Sequence, residues 1–105
     1  MMWAVNHLGH FYLTCLLWDK IKKSDRFRIV NVSSLAHLFK KGISGKTDLD
    51  WDNINFDRNY DFELAYGRSK LYNVLFTRAL AEKVDSSKGI ITSLHPGLVR
   101  TELGR

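Results

Sequence analysis

Tyr66 and Lys70 stand four residues apart in Tyr66-Gly-Arg-Ser-Lys70, at the start of a long amphipathic segment. On a helix, residues at that spacing share a face, with about 5–6 Å between their Cβ atoms, so the ammonium can sit beside the phenol. A free phenol titrates near about 10 and is a poor acid or base at neutral pH, whereas an adjacent cation favours phenolate. A Tyr-Lys pair of this kind can transfer protons. The spacing alone also suits an ordinary solvated helix, so its meaning depends on what else the chain brings to the pair.

The elements that must position it follow from periodicity. From about Trp3 to Lys23, the residues Val5, Leu8, Tyr12, Leu16 and Trp18 or Ile21 recur at helical spacing, and lysines gather at the end, where they suit the dipole. Arg28-Ile-Val-Asn-Val-Ser33 is short and rich in β-branched residues, the pattern of a buried strand. From Leu35 to about Asp61 periodicity fails, predicting a long surface loop with room for a short turn of its own. Phe62 to about Val84 carries Leu71, Val74, Leu75, Leu80 and Val84 on an apolar stripe, with Asp61 as the candidate cap. After Ser86-Ser-Lys-Gly89, Ile90-Ile-Thr-Ser-Leu94 reads as a second strand that His95-Pro-Gly97 ends.

Helix, strand, loop, helix, strand is the order of an α/β fold. Strand, crossover helix and strand make a βαβ unit whose parallel pairing and handedness are nearly fixed by strand twist. Ligands of such sheets bind beyond the carboxyl ends of the strands. Ser34 lies at one strand end, His95-Pro-Gly97 at the other, and Tyr66 near the start of a helix that runs back antiparallel to both. Three separated segments therefore converge on one sheet edge.

Composition restricts the partners. A chain of 105 residues is one small domain at most. Sixteen Lys and Arg against eleven Asp and Glu give a net charge of +5, but the basic residues are scattered and lack the aromatic interleaving of a nucleic-acid surface. Cys15 is the only cysteine, so no internal disulfide can form; a reducing intracellular compartment and a small core residue are expected. No stretch approaches the roughly 20 apolar residues a spanning helix needs, so membrane association would come only through segments outside this chain.

Four motifs now stand in order: Asn6-His-Leu-Gly-His-Phe11, Ile29-Val-Asn-Val-Ser-Ser-Leu-Ala-His37, Tyr66-Gly-Arg-Ser-Lys70 followed by Leu71-Tyr-Asn73, and His95-Pro-Gly-Leu-Val-Arg-Thr101. Together they resemble the short-chain dehydrogenase/reductases, and in pattern the retinol dehydrogenase-like branch, which the long interval between Ser34 and Tyr66 also suits. The resemblance implies a fragment of a doubly wound, Rossmann-type parallel sheet. It also implies an oxidoreductase that interconverts an alcohol and a carbonyl, a retinoid or lipid aldehyde, with NADP, NAD not being excluded. By resemblance, Tyr66 exchanges the proton with the substrate oxygen, and Ser34 hydrogen-bonds that oxygen. Lys70 assists Tyr66 and reaches the nicotinamide ribose, while Asn6 holds a water that relays protons to Lys70. Pro96, Gly97, Val99 and Thr101 correspond to the segment around the nicotinamide amide and nearby phosphates. Ser33 competes for the serine role; Ser34 is preferred because it fills the second serine position of the motif, and alternation points the two to opposite faces.

No Gly-rich strand-turn-helix of the kind that receives a pyrophosphate occurs in these residues. The expectation is therefore that residues 1–105 are the C-terminal catalytic half of a single dinucleotide-binding domain, with the Gly-rich cofactor half absent. Two parallel strands alone would also leave an unpaired edge and partly uncovered helices. A rival expectation is a non-catalytic truncated product acting as a helix-mediated binding or dimerisation element, since in the family these two helices often form a homodimer interface.

Several weaker signals fail on spacing. Gly42-Ile-Ser-Gly-Lys-Thr47 ends like a P-loop, but the first glycine of that motif would fall at Lys40. Asp48, Asp50 and Asp52 imitate an EF-hand opening, yet the required glycine is Asn53 and the closing glutamate is Asn59. Asn31-Val-Ser33 fits a glycosylation tripeptide but lies in the expected buried strand, and His7 with His10 lacks a third metal ligand, which makes them core or interface histidines.

Overall fold

A computed structural model describes residues 1–38 and 49–98 of the protein. The Gly42–Thr47 segment, Asp48, Val99 and Thr101 lie outside the described residues. A π-helical segment, Ala4–Leu8, leads into helix α1, Gly9–Ile21. Strand β1, Phe27–Val32, follows, then two 3-10 turns, Leu35–Leu38 and Trp51–Asn53, helix α2, Phe62–Ala81, and strand β2, Gly89–Leu94. This is the expected order, and the two strands pair in parallel from Phe27 with Gly89 to Val32 with Leu94. The result is a βαβ unit, an α/β piece of the Rossmann type.

Local chemistry explains the boundaries. The Asp61 carboxylate accepts from the Leu64 backbone N–H at 3.0 Å, so α2 starts where its first donors find a partner. Glu63 in the first turn and Arg78 in the last complement the dipole. Along β1 the residues alternate: Phe27, Ile29 and Asn31 are half-buried, whereas Arg28, Val30 and Val32 are exposed. One sheet face therefore packs on α2, and Val30, Val32, Ile90 and Leu94 are exposed on the other. Among the described residues, no helix is long and apolar enough to cross a membrane.

Most of the apolar stripe expected for α1 does not turn inward, whereas Leu71, Val74, Leu80 and Val84 of the second expected stripe are half-buried. Val5, Tyr12 and Leu16 are each more than 60% exposed. What α1 and its π-helical lead turn inward is Asn6, His7, Thr14, Trp18 and Ile21, all half-buried. On α2 the buried residues are Ala65, Gly67, Arg68, Ser69, Tyr72, Asn73 and Thr77, while Leu75 is exposed. Small and polar residues hold the closest approach because α2 meets β1 and the π-helical segment through hydrogen bonds, which long apolar side chains would prevent. Cys15, expected in the core, is exposed; it lies on the rim of a groove with Phe11, Trp18, Phe76 and Leu80.

The loop before α2 is fastened by aromatic rings. Arg68, 6% exposed, stacks its guanidinium 4.6 Å from the centre of the Phe56 ring, and Trp51 lies 5.8 Å from Tyr72. Phe56 and Asn59 adopt φ of 57° and 52°, the left-handed region that a tight turn demands.

Gly67 is fixed by space. A Cβ there would sit 2.6 Å from the Ala36 carbonyl oxygen, a backbone atom that cannot swing aside. Gly67→Ala should therefore push the turn after β1 off α2 and cost about 1–3 kcal/mol, as for other overpacked sites. Denaturant unfolding of the variant against wild type measures it.

Candidate active site at the carboxyl edge of the strands

Helix α2 runs antiparallel to β1 and β2, so its first turns lie beside the strand ends. Gly67 against Ala36 and the Ser33 hydroxyl, which donates to the Lys70 carbonyl at 2.8 Å, fasten them together. Ser33 is 4% exposed, and its backbone N–H donates to the Leu94 carbonyl at 2.7 Å, which extends the strand pairing by one step. Ser33 is thus spent on structure. Ser34 is half-buried, and its Oγ accepts from the Ala36 backbone N–H at 3.2 Å. A hydroxyl that accepts through a lone pair retains its proton for donation elsewhere.

Tyr66 is half-buried and its ring stacks nearly parallel with Phe62, at an angle of 4° and 6.4 Å between centroids. Lys70 Nζ lies 5.6 Å from the centre of the Tyr66 ring, over its face, and donates to the Val32 carbonyl at 3.4 Å. The ammonium is therefore held between the tyrosine and the last residue of β1. Burial pulls the Lys70 pKa below its ordinary value. Pro96 and Gly97 are exposed just past β2, and Gly97 has φ +82° with nothing within 4 Å of where a Cβ would stand. His95 Nδ1 accepts from the Leu35 backbone N–H at 3.4 Å, linking the segment after β2 to the turn after β1.

Asn6 sits within the π-helical segment, a backbone form that recurs at functional sites. Its amide Nδ2 donates to Ser69 Oγ at 3.0 Å, and Ser69 in turn donates to the Tyr66 carbonyl at 2.7 Å. Asn6 reaches Lys70 by a second route. Its backbone carbonyl accepts from Asn73 Nδ2 at 2.9 Å, and the same Nδ2 donates to the Val32 carbonyl at 3.2 Å, the carbonyl that Lys70 also uses. Asn6, Tyr66 and Lys70 are thereby joined through α2. Ser34 adjoins them by chain from Ser33, and Pro96 and Gly97 by the strand pairing.

Sequence reasoning gave no role to Asn73, Ser69, Thr77 or Arg68. Asn73 is 3% exposed, and Asn31 Nδ2 donates to Thr77 Oγ1 at 2.8 Å while Thr77 donates to the Asn73 carbonyl at 2.7 Å. The available signal was Ser69, Asn73 and Thr77 at four-residue spacing: a polar stripe on a helix that otherwise looks apolar. Among the described residues, Arg68 Nε and the Tyr72 hydroxyl are buried without a hydrogen-bond partner. Burial raises the Tyr72 pKa, with Arg68 opposing the shift and Asp50 adding to it.

Over its whole length the chain is 48% identical to Retinol dehydrogenase 13 and 47% identical to Retinol dehydrogenase 14, both from Homo sapiens, covering 30% and 29% of those proteins. Over 97% of its length it is 46% identical to Retinol dehydrogenase 11 from Homo sapiens, covering 30% of that protein. The chain thus spans about 30% of the length of the curated relatives it matches. No protein-family model and no solved structure matches it. A βαβ unit with these relatives along its full length belongs to the short-chain dehydrogenase/reductases, in the retinol dehydrogenase-like branch.

Partial burial of His7 links the stability of the fold to pH. Burial lowers its pKa from the ordinary 6.5, the Asn73 hydrogen bond opposes the shift, and the charge of His10 adds to it. A group with a depressed folded pKa contributes stability that is present above its unfolded value and lost as pH falls through the folded one. The thermal midpoint should therefore drop as pH is lowered from 6.5, and the drop should be shallower in His7→Phe, as calorimetry across that range would record.

Proposed function

We propose that this chain carries the catalytic part of a dinucleotide-binding domain in an oxidoreductase that interconverts an alcohol and a carbonyl with a nicotinamide cofactor. The observation that supports this best is the Lys70 ammonium held over the Tyr66 ring at the carboxyl edge of two parallel strands, in a relative of retinol dehydrogenases. A retinoid substrate is suggested by the names of those relatives, and a lipid aldehyde, like NADP rather than NAD, by the branch resemblance.

The residues present fit such a cofactor. Lys70 can donate to ribose hydroxyls with the N–H groups that Val32 does not use, and Gly97 offers bare backbone with open space beside it. Pro96 limits the backbone freedom next to that glycine. Val99 and Thr101 complete the proposed cofactor-binding set from the sequence pattern. When bound, the cofactor supplies or accepts the hydride.

The chain's own groups do the remaining work. The Tyr66 phenol gives a proton to the substrate oxygen in reduction and takes it back in oxidation. Lys70, a cation over the ring, stabilises negative charge on the phenol during that exchange. Ser34 donates its free hydroxyl proton to the substrate oxygen and so orients the carbonyl. Asn6 bonds Ser69 through its side chain and Asn73 through its carbonyl, and the proton relay to Lys70 assigned to it rests on the family resemblance.

Association of two copies would use the outward face of α1, where Tyr12, Leu13 and Leu16 are exposed, and the apolar groove of about 340 Å³ that α1 makes with α2. Leu16→Glu should then shift the protein toward monomer in sedimentation, leaving turnover per chain near wild type.

Two measurements test the chemistry. Tyr66→Phe in the full-length protein should lower turnover by about 10²–10⁴-fold, as loss of a general acid does, while the affinity for NADPH stays near wild type; turnover at the wild-type rate refutes the assignment. Because burial holds Lys70 below the ordinary 10.5, its ammonium is lost as pH rises through that lower value. The alkaline decline of kcat should therefore begin below 10.5, and an identical decline in Lys70→Arg would assign it to another group.

A further inference from the structure

Asn73 is the residue on which the hydrogen bonds beneath the site converge, and its amide orientation can be deduced. Its Nδ2 lies 2.9 Å from the Asn6 carbonyl and 3.2 Å from the Val32 carbonyl. Both partners only accept, so the atom facing them must be the nitrogen, and both of its protons are committed. Asn73 Oδ1 therefore accepts, and its neighbour is His7 Nδ1 at 3.0 Å. His7 must carry its proton on Nδ1. Had the proton been on Nε2 alone, two acceptors would face each other in a place where Asn73 is 3% exposed.

The imidazole is itself held in place. It lies among the rings of Trp3, Phe11, Tyr72 and Phe76, at centroid distances of 6.5, 6.1, 5.3 and 6.2 Å. His7 follows Asn6 directly in the π-helical segment, so two successive residues supply a backbone acceptor and a side-chain donor to the same amide. Asn73 shares the Val32 carbonyl with Lys70, so the placement of that carbonyl under the ammonium depends on the amide being held.

We propose that His7, acting through Asn73, is a positioning residue of the site: its Nδ1–H locks the amide that ties Asn6 and the end of β1 to the helix turn carrying Lys70. This rests on the proton-transfer role proposed above for Tyr66 and Lys70. Without the donor at residue 7, Asn73 Oδ1 is buried unpaired, the amide turns or withdraws, and the Val32 carbonyl and Asn6 lose their common anchor. A shift of this kind alters reaction geometry more than substrate affinity.

The test compares two substitutions that both remove the ring. His7→Asn places an amide nitrogen where Nδ1 stood and keeps the donor; His7→Leu keeps bulk and removes it. In the full-length protein, with all-trans-retinal and NADPH as probes, His7→Leu should lower kcat about tenfold or more with KM little changed, whereas His7→Asn should stay within about threefold of wild type. Equal kcat in the two variants, or a loss confined to KM, overturns the positioning role. Nitrogen NMR of histidine-labelled wild-type protein gives a reading that needs no variant to fold: His7 in the Nδ1–H tautomer is expected, and the Nε2–H tautomer overturns the proposal. Tyr66→Phe is measured alongside. If it is inactive while the two His7 variants match, the positioning role alone fails; if it turns over like wild type, the proposed reaction fails and this inference with it.

Discussion

Helix α2 approaches the end of β1 more closely than a side chain at residue 67 would permit, and the arrangement of the site depends on that approach. With hydrogen in place of a Cβ, Gly67 lets the Ala36 carbonyl come to where a methyl would clash at 2.6 Å. The turn that carries Ser34 can then lie against the first turns of α2, and the Ser33 hydroxyl reaches the Lys70 carbonyl. Parallel pairing does the rest. Because β1 and β2 run the same way, α2 must return antiparallel, and its N-terminal turns meet both strand ends at one edge.

Close approach brings a requirement of its own, because backbone and polar side chains taken from water need partners. A buried donor or acceptor left unpaired costs about 1–3 kcal/mol, more than a satisfied hydrogen bond returns. On the inward face of α2, Ser69, Asn73 and Thr77 all find partners, in Asn6, the Tyr66 carbonyl, the Val32 carbonyl, His7, Asn31 and the Asn73 carbonyl. The bonds to Asn6, His7, Asn31 and Val32 join residues more than 40 positions apart and set the relative placement of the π-helical segment, β1 and α2 more narrowly than apolar contact could. The apolar surface lies elsewhere, on the outward side of α1 and the far face of the sheet.

That division explains what the sequence disclosed and what it concealed. Element order, strand pairing and the Asp61 cap were legible because they rest on short-range signals: β-branched runs, a helical period, a carboxylate three residues before an amide. The Tyr66–Lys70 proximity was legible for the same reason. Which face of the first helical stretch turns inward was not. Periodicity assigns the apolar stripe to the core, and Val5, Tyr12 and Leu16 are instead exposed, as is Cys15, because the inward face is chosen by polar partners more than 60 residues away. Asn73 could be seen as a polar residue on an apolar helix, but its three bonds could not be counted without Asn6, His7 and Val32 around it.

The Val32 carbonyl shows how such a network can serve chemistry as well as packing. It accepts from Asn73 at 3.2 Å and from Lys70 at 3.4 Å, so two donors share one oxygen and the lysine holds the longer bond. An ammonium has three donors, and this one contact is enough to place the charge over Tyr66 without consuming the group. Partial burial, which lowers the Lys70 pKa, means that the charge is less well solvated than on an open surface. An under-solvated cation with free donors is favourably met by hydroxyl oxygens and by developing negative charge on a neighbouring phenol. A tighter bond to Val32, or a carboxylate in its place, would satisfy the ammonium within the fold and leave less of its field for the reaction.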